Sequence, residues 1–150
     1  MPHALALLGE VEIRKSMLLA CALGTGGGAR KRHLLETALI RARCGESLAP
    51  KMALSSSSLF IVGILSLMPA ILDVSVEDLV DLVAVSTDLR EALIGTPNPL
   101  RTGFDLVVSY EAENWNRCEE LRTKRQIPAQ FLSDGYVEAI RWARQLTEEM

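Results

Sequence analysis

Residues 59–72 read Leu-Phe-Ile-Val-Gly-Ile-Leu-Ser-Leu-Met-Pro-Ala-Ile-Leu, and Ser66 is their only polar side chain. A helix built from such a run has no polar face to turn to water, so in a water-soluble domain it must be buried on every side. A membrane span is the competing use of an apolar run, but it needs about 20 consecutive residues, and this one has 14. The run is therefore expected to be the buried central helix (59–72) of an all-α, compact multi-helix bundle. Four serines, residues 55–58, precede it, and Ser58 is expected to cap it by accepting a bond from an orphan backbone N–H one turn on. Gly63 lets a neighbouring helix come close. Pro69 removes one helical bond and crowds the carbonyl of Leu65, which predicts a kink in the last turn.

With 150 residues the chain has the usual length of one domain and can bury about two-thirds of its unfolded surface. The formal charge of −3 and the isoelectric point near 5.4 argue against a nucleic-acid partner, because neutralising phosphates takes an excess of Lys and Arg. Cys21, Cys44 and Cys118 are odd in number and widely spaced, so neither a disulfide framework nor a zinc site is indicated, and a reducing cytoplasm fits. No basic region followed by an apolar stretch and a small-residue cleavage site opens the chain, so no signal peptide is expected. The mean hydropathy of +0.19 is carried by aliphatic residues, which a Leu/Ala-rich helical core accounts for most simply and which also hints at apolar surface meant for a partner.

Proline, glycine and capping residues divide the chain into helices. Short helices are expected over residues 2–8 and 10–23, followed by a turn at the glycine run 24–28. That run is no phosphate loop, because a helix precedes it and Ala29-Arg30 follows where a Walker motif needs Gly-Lys-Ser/Thr after a strand. Residues 29–54 form a long helix with a break at Pro50. Leu34, Leu35, Ala38, Leu39, Ala42, Gly45 and Ala49 make its apolar stripe. Ser75 followed by Glu77 and Asp78 opens a helix that ends near Val83. Ser86 and Gly95 bracket the next, Asn98-Pro99 starts one reaching about Glu113, and Asn114 starts another. Pro128 opens the last, with a stripe of Leu132, Tyr136, Ala139, Ile140, Ala143 and Leu146.

Two charged groups are candidates for interaction or anion binding. On a helical wheel Arg41 and Arg43 lie on opposite margins of the stripe and Glu46 falls inside it. A carboxylate there is costly to bury alone, so Arg43, three residues earlier, is its natural partner, and a structural ion pair is the simplest account of all three. The second group, Arg30, Lys31 and Arg32, lies at a helix start, where cations and free N–H groups suit phosphate. No catalytic set is apparent. The histidines, His3 and His33, each precede an apolar residue and cannot supply the His-Asp pair and further ligands of a two-metal phosphohydrolase. There is no Gly-x-Ser-x-Gly elbow, and Glu119-Glu120 and Glu148-Glu149 sit in charged company. No cofactor and no metal are expected.

Several stretches together resemble one family: His3-Ala-Leu-Ala-Leu-Leu-Gly9, Arg41-Ala42-Arg43 with Glu46, Leu59-Phe60-Ile61-Val62-Gly63-Ile64-Leu65, Pro99-Leu100, and Tyr136 through Arg141-Trp142-Ala143. They resemble the HDOD domain, in particular the version attached to EAL phosphodiesterase domains in bacterial cyclic-di-GMP signalling proteins, in the right order over nearly the whole chain. The resemblance implies an all-α relative of the HD phosphohydrolases that lacks their metal ligands and serves as a regulatory or output module. The family has further helices before the segment matching His3 to Gly9, so the chain is expected to be a single domain corresponding to the C-terminal part of an HDOD region. Faces those helices would cover need another cover, which implies a homo-oligomer or a protein partner, with no membrane insertion. The expectation is a non-enzymatic signalling module. The alternatives are a cyclic-di-GMP sensor holding phosphates on Arg30, Lys31 and Arg32, and a remnant phosphodiesterase.

Overall fold

A computed structural model describes residues 28–83 and 85–148. The helices expected over 2–8 and 10–23, His3, Cys21 and the glycine run up to residue 27 lie outside these. Among the described residues there are helices, turns and no strand, so the domain is all-α as expected.

The helix α1 (Ala29–Leu48) starts at Gly28, whose φ of 63° is left-handed, and runs into a 3₁₀ turn (Ala49–Met52) where Pro50 forbids the α-helix from continuing. The apolar run then splits in two. The helix α2 (Ser56–Leu65) is followed by a break at Ser66 and Leu67 and by α3 (Met68–Leu72). Thus Pro69 does not kink a continuing helix; it sits in the first turn of a new one, where its missing N–H costs nothing. The N-cap is likewise Ser55 and not Ser58: the Ser55 hydroxyl accepts from the Ser58 N–H at 3.3 Å. The burial expectation holds for Leu59 to Leu65, every one of them buried, but not for the whole run: past the break only Met68 and Ile71 are buried and Ala70 is exposed.

The remaining helices follow the punctuation of the sequence. Ser75 Oγ accepts from the Asp78 N–H at 3.1 Å to open α4 (Val76–Val83). Next, α5 (Thr87–Ile94) stops at Gly95, whose φ of 96° only glycine adopts readily. Asn98 Oδ1 accepts from the Arg101 N–H at 2.7 Å to open α6 (Pro99–Glu111), and Asn114 caps α7 (Trp115–Lys124) in the same way. The last helix is α8 (Ala129–Glu148).

Two apolar clusters share α1. One gathers α2 with Leu35, Leu39 and Ala42 of α1, Leu79, Leu89 and Ala143; the other gathers Cys44 and Leu48 of α1 with Leu106, Cys118, Leu121, Ile127 and Ala139. Glycines let α1 and α2 cross closely. A Cβ placed on Gly63 would stand 2.5 Å from the Cα and N of Ala42, and one on Gly45 would stand 3.3 Å from Leu59. No single helix among the described residues is long and apolar enough to cross a membrane.

Candidate functional site

Residues 41 and 43 are two apart on a helix, about 200° around its axis, so their side chains leave α1 in opposite directions. Arg41 goes toward α6. Its Nε and Nη2 donate to the two carboxylate oxygens of Glu111 at 2.8 and 2.9 Å, a bidentate fork with little exposure on either side. Its Nη1 donates to Ser66 Oγ at 3.2 Å, and that hydroxyl donates in turn to the Gly63 carbonyl at 2.7 Å. The single polar side chain of the apolar run thus fills the α2/α3 break and fixes Arg41 to it.

Arg43 goes toward α8. Its Nη1 meets Glu46 Oε1 at 2.8 Å, the local pair expected from their spacing, and its Nε and Nη2 bond Glu138 at 3.2 Å. The guanidinium also lies 5.5 Å from the centre of the Trp142 ring. The hydrogen bonds with Glu138 raise its pKa further, so it stays cationic. Arg41 and Arg43 therefore act as ties between helices, one side of α1 bound to α6 and the other to α8, while Glu46 pairs with Arg43 inside α1.

The second charged group is not brought to the first; ten residues of helix put about 15 Å between them. Arg32 Nη2 donates to the Thr147 carbonyl at 3.1 Å, in the last turn of α8, where a cation meets the negative end of the helix dipole. Lys31 is half-buried and has contacts of its own, and Arg30 is exposed. His33 is exposed. No group of three or more His, Cys, Asp or Glu among the described residues could hold a metal ion.

Sequence reasoning missed a third cluster. Tyr110 of α6 packs on Tyr136 of α8 with ring centres 4.8 Å apart and edge-on against Trp115 at 5.4 Å. Burial, reinforced by the Glu111 charge, pushes the Tyr136 phenol up to about 12. Burial likewise pushes the Cys44 thiol up to about 12, so it is an inert core residue. Tyr136 was visible as part of the last stripe, but its ring partners lie on elements distant in sequence.

The fold and its ties define an all-α helical domain in which Arg32, Arg41 and Arg43 each reach across to another helix. No family model and no solved structure matches it. Two curated proteins do. One is an uncharacterized protein, YuxH, of Bacillus subtilis, 28% identical over 149 residues that make up 97% of this chain and 36% of that protein. The other is the cyclic di-GMP phosphodiesterase CdgJ of Vibrio cholerae, 26% identical over 146 residues, 96% of this chain and 34% of that protein. The chain is thus distantly related to both, and it spans about a third of the length of the curated relatives it matches.

Proposed function

We propose that this chain is an HDOD-type regulatory module, without catalysis of its own, that works through protein–protein contacts in a cyclic-di-GMP signalling pathway of the bacterial cytoplasm. The observation that carries this reading is the alignment of 96% of the chain with only a third of a cyclic di-GMP phosphodiesterase. A match of that shape fits one module of a larger signalling protein. The pairing of Glu111 with Arg41 and of Glu46 with Arg43 supports it, because carboxylates locked into ion pairs are poorly placed to take or give protons.

Exposed apolar side chains supply contact surface. Leu82 is 84% exposed and Trp115 52%. The partner is a protein, a second copy of the chain included, and neither nucleic acid nor a bilayer. The sensor reading on Arg30, Lys31 and Arg32 is less favoured, because Arg32 already serves the end of α8.

The test is a phosphodiesterase assay of the purified chain on cyclic di-GMP with Mg²⁺ or Mn²⁺ added. The expected result is no hydrolysis above the metal-and-buffer blank; saturable turnover that copurifies with the chain overturns the reading. Light scattering at micromolar concentration tests self-association. A dimer or larger species is expected, and a monodisperse monomer removes that part of the proposal.

A further inference from the structure

Beside the Arg41 tie the surface folds inward between α3, α4, α5 and α6 as a cleft of about 350 Å³. Small-molecule sites run from roughly 300 to 1,000 Å³, so the space suits a ligand of modest size. Its walls are mostly apolar, with Val76, Leu93 and Phe104 among them, and its polar atoms come from Arg41, Ser66 and Arg101. The two guanidinium carbons lie 5.8 Å (Arg41) and 5.4 Å (Arg101) from the centre of the same Phe104 ring. Few polar groups converging on an apolar hollow is the usual make-up of a small-molecule site.

Both arginines are held before any ligand arrives. Arg41 is fixed by Glu111 and Ser66, and Arg101 donates Nη1 to the Ala92 carbonyl at 2.8 Å while its Nε faces Asp105 at 3.1 Å. A guanidinium carries five N–H donors, so among the described residues each arginine keeps donors beyond those bonds. Little side-chain freedom remains to be lost when a ligand binds, which favours affinity. The charges limit the ligand. Glu111 and Asp105 offset the two cations, so a dianion meets two carboxylates nearby, whereas a monoanion gains charge-assisted hydrogen bonds without a large repulsion.

We propose that this cleft binds a small monocarboxylate with an apolar body, its carboxylate on the remaining guanidinium donors of Arg41 and Arg101 and its hydrocarbon on Phe104, Leu93 and Val76. The proposal goes beyond the protein-binding role and does not rest on it.

The experiment is a nuclear magnetic resonance titration of the whole chain with octanoate and with hydrocinnamate, following backbone amides and arginine Nε–H signals. At least one acid is expected to give saturable shifts centred on Arg41, Arg101 and Leu93. The matching neutral amide should bind at least tenfold more weakly. Arg101→Gln should weaken the acid at least tenfold, and Leu93→Trp, which fills the hollow, should abolish binding, each in a chain that still folds by circular dichroism. Absence of saturable shifts with both acids at millimolar concentration overturns the proposal. So does equal binding of acid and amide, or equal binding by the Arg101→Gln chain.

Discussion

The two sides of α1 are joined to the molecule by different means. Against α2 the contact is backbone to backbone at Gly63 and nearly without tolerance: Gly63 faces Ala42 where a Cβ would come to 2.5 Å, and Gly45 faces Leu59. Against α8, beside the buried Ala139 and Ala143, the link is made by long side chains. Arg43 reaches Glu138 and Trp142, Arg144 lies 3.7 Å from Glu36, and Arg32 reaches the Thr147 carbonyl, most of them partly in water. The first seam depends on which residue stands at one position; the second is spread over several replaceable contacts. Close packing punishes a single added methyl group, whereas half-exposed ion pairs contribute little each.

The largest expected effect is at the first seam. Gly63→Ala puts a Cβ into Ala42's backbone, which cannot give way as a flexible side chain would, and is expected to cost about 3 kcal/mol by overpacking. Thermal unfolding should move down by roughly 10 °C. Gly135→Ala is its counterpart on α8, where a Cβ meets nothing within 4 Å. There the helix propensity of alanine should win and raise stability by about 0.8 kcal/mol. If both substitutions shifted urea midpoints in the same direction, the contrast between the seams would be gone.

A smaller effect is expected from Arg43→Ala. Its side chain is 35% exposed and its partner Glu138 is 48% exposed, so the loss should be about 0.5–1 kcal/mol, shrinking as salt is added. A loss that is large and independent of salt would mean the α8 seam is as demanding as the α2 seam. The smallest effect is one of pH. The Tyr136 phenol rises from its ordinary 10.0 to about 12 in the folded chain, so the folded state holds that proton more tightly. The stability this brings is fully present below pH 10 and is lost as pH rises toward 12. Tyr136→Phe should flatten the decline of stability in that window, while an unchanged slope in a pH series of denaturation curves would show that the phenol is not buried as described.

How much of this was legible depended on sequence distance. The pairing of Arg43 with Glu46 could be read from a spacing of three residues, and the burial of residues 59–65 from composition alone. The caps at Ser75, Asn98 and Asn114 were equally local. Arg41 finds Glu111 seventy residues further on, which only the topology could reveal. Among four consecutive serines, local preference did not separate Ser55 from Ser58 as the cap. The choice follows from where the chain leaves the 3₁₀ turn through the left-handed Ala53. A proline can kink a helix or start one, and at Pro69 the second outcome wins because Ser66, bonded to both Gly63 and Arg41, already ends α2.

Arg41 and Arg43 tie helices together, and Arg41 with Glu111 is the strictest case. A double-mutant cycle on Arg41→Ala and Glu111→Ala, read by urea denaturation of both single variants and the double, measures this directly. A bidentate, mostly buried pair predicts a coupling of about 1.5–2 kcal/mol in favour of the native state. A coupling indistinguishable from zero, with each single variant as stable as the parent, would contradict it.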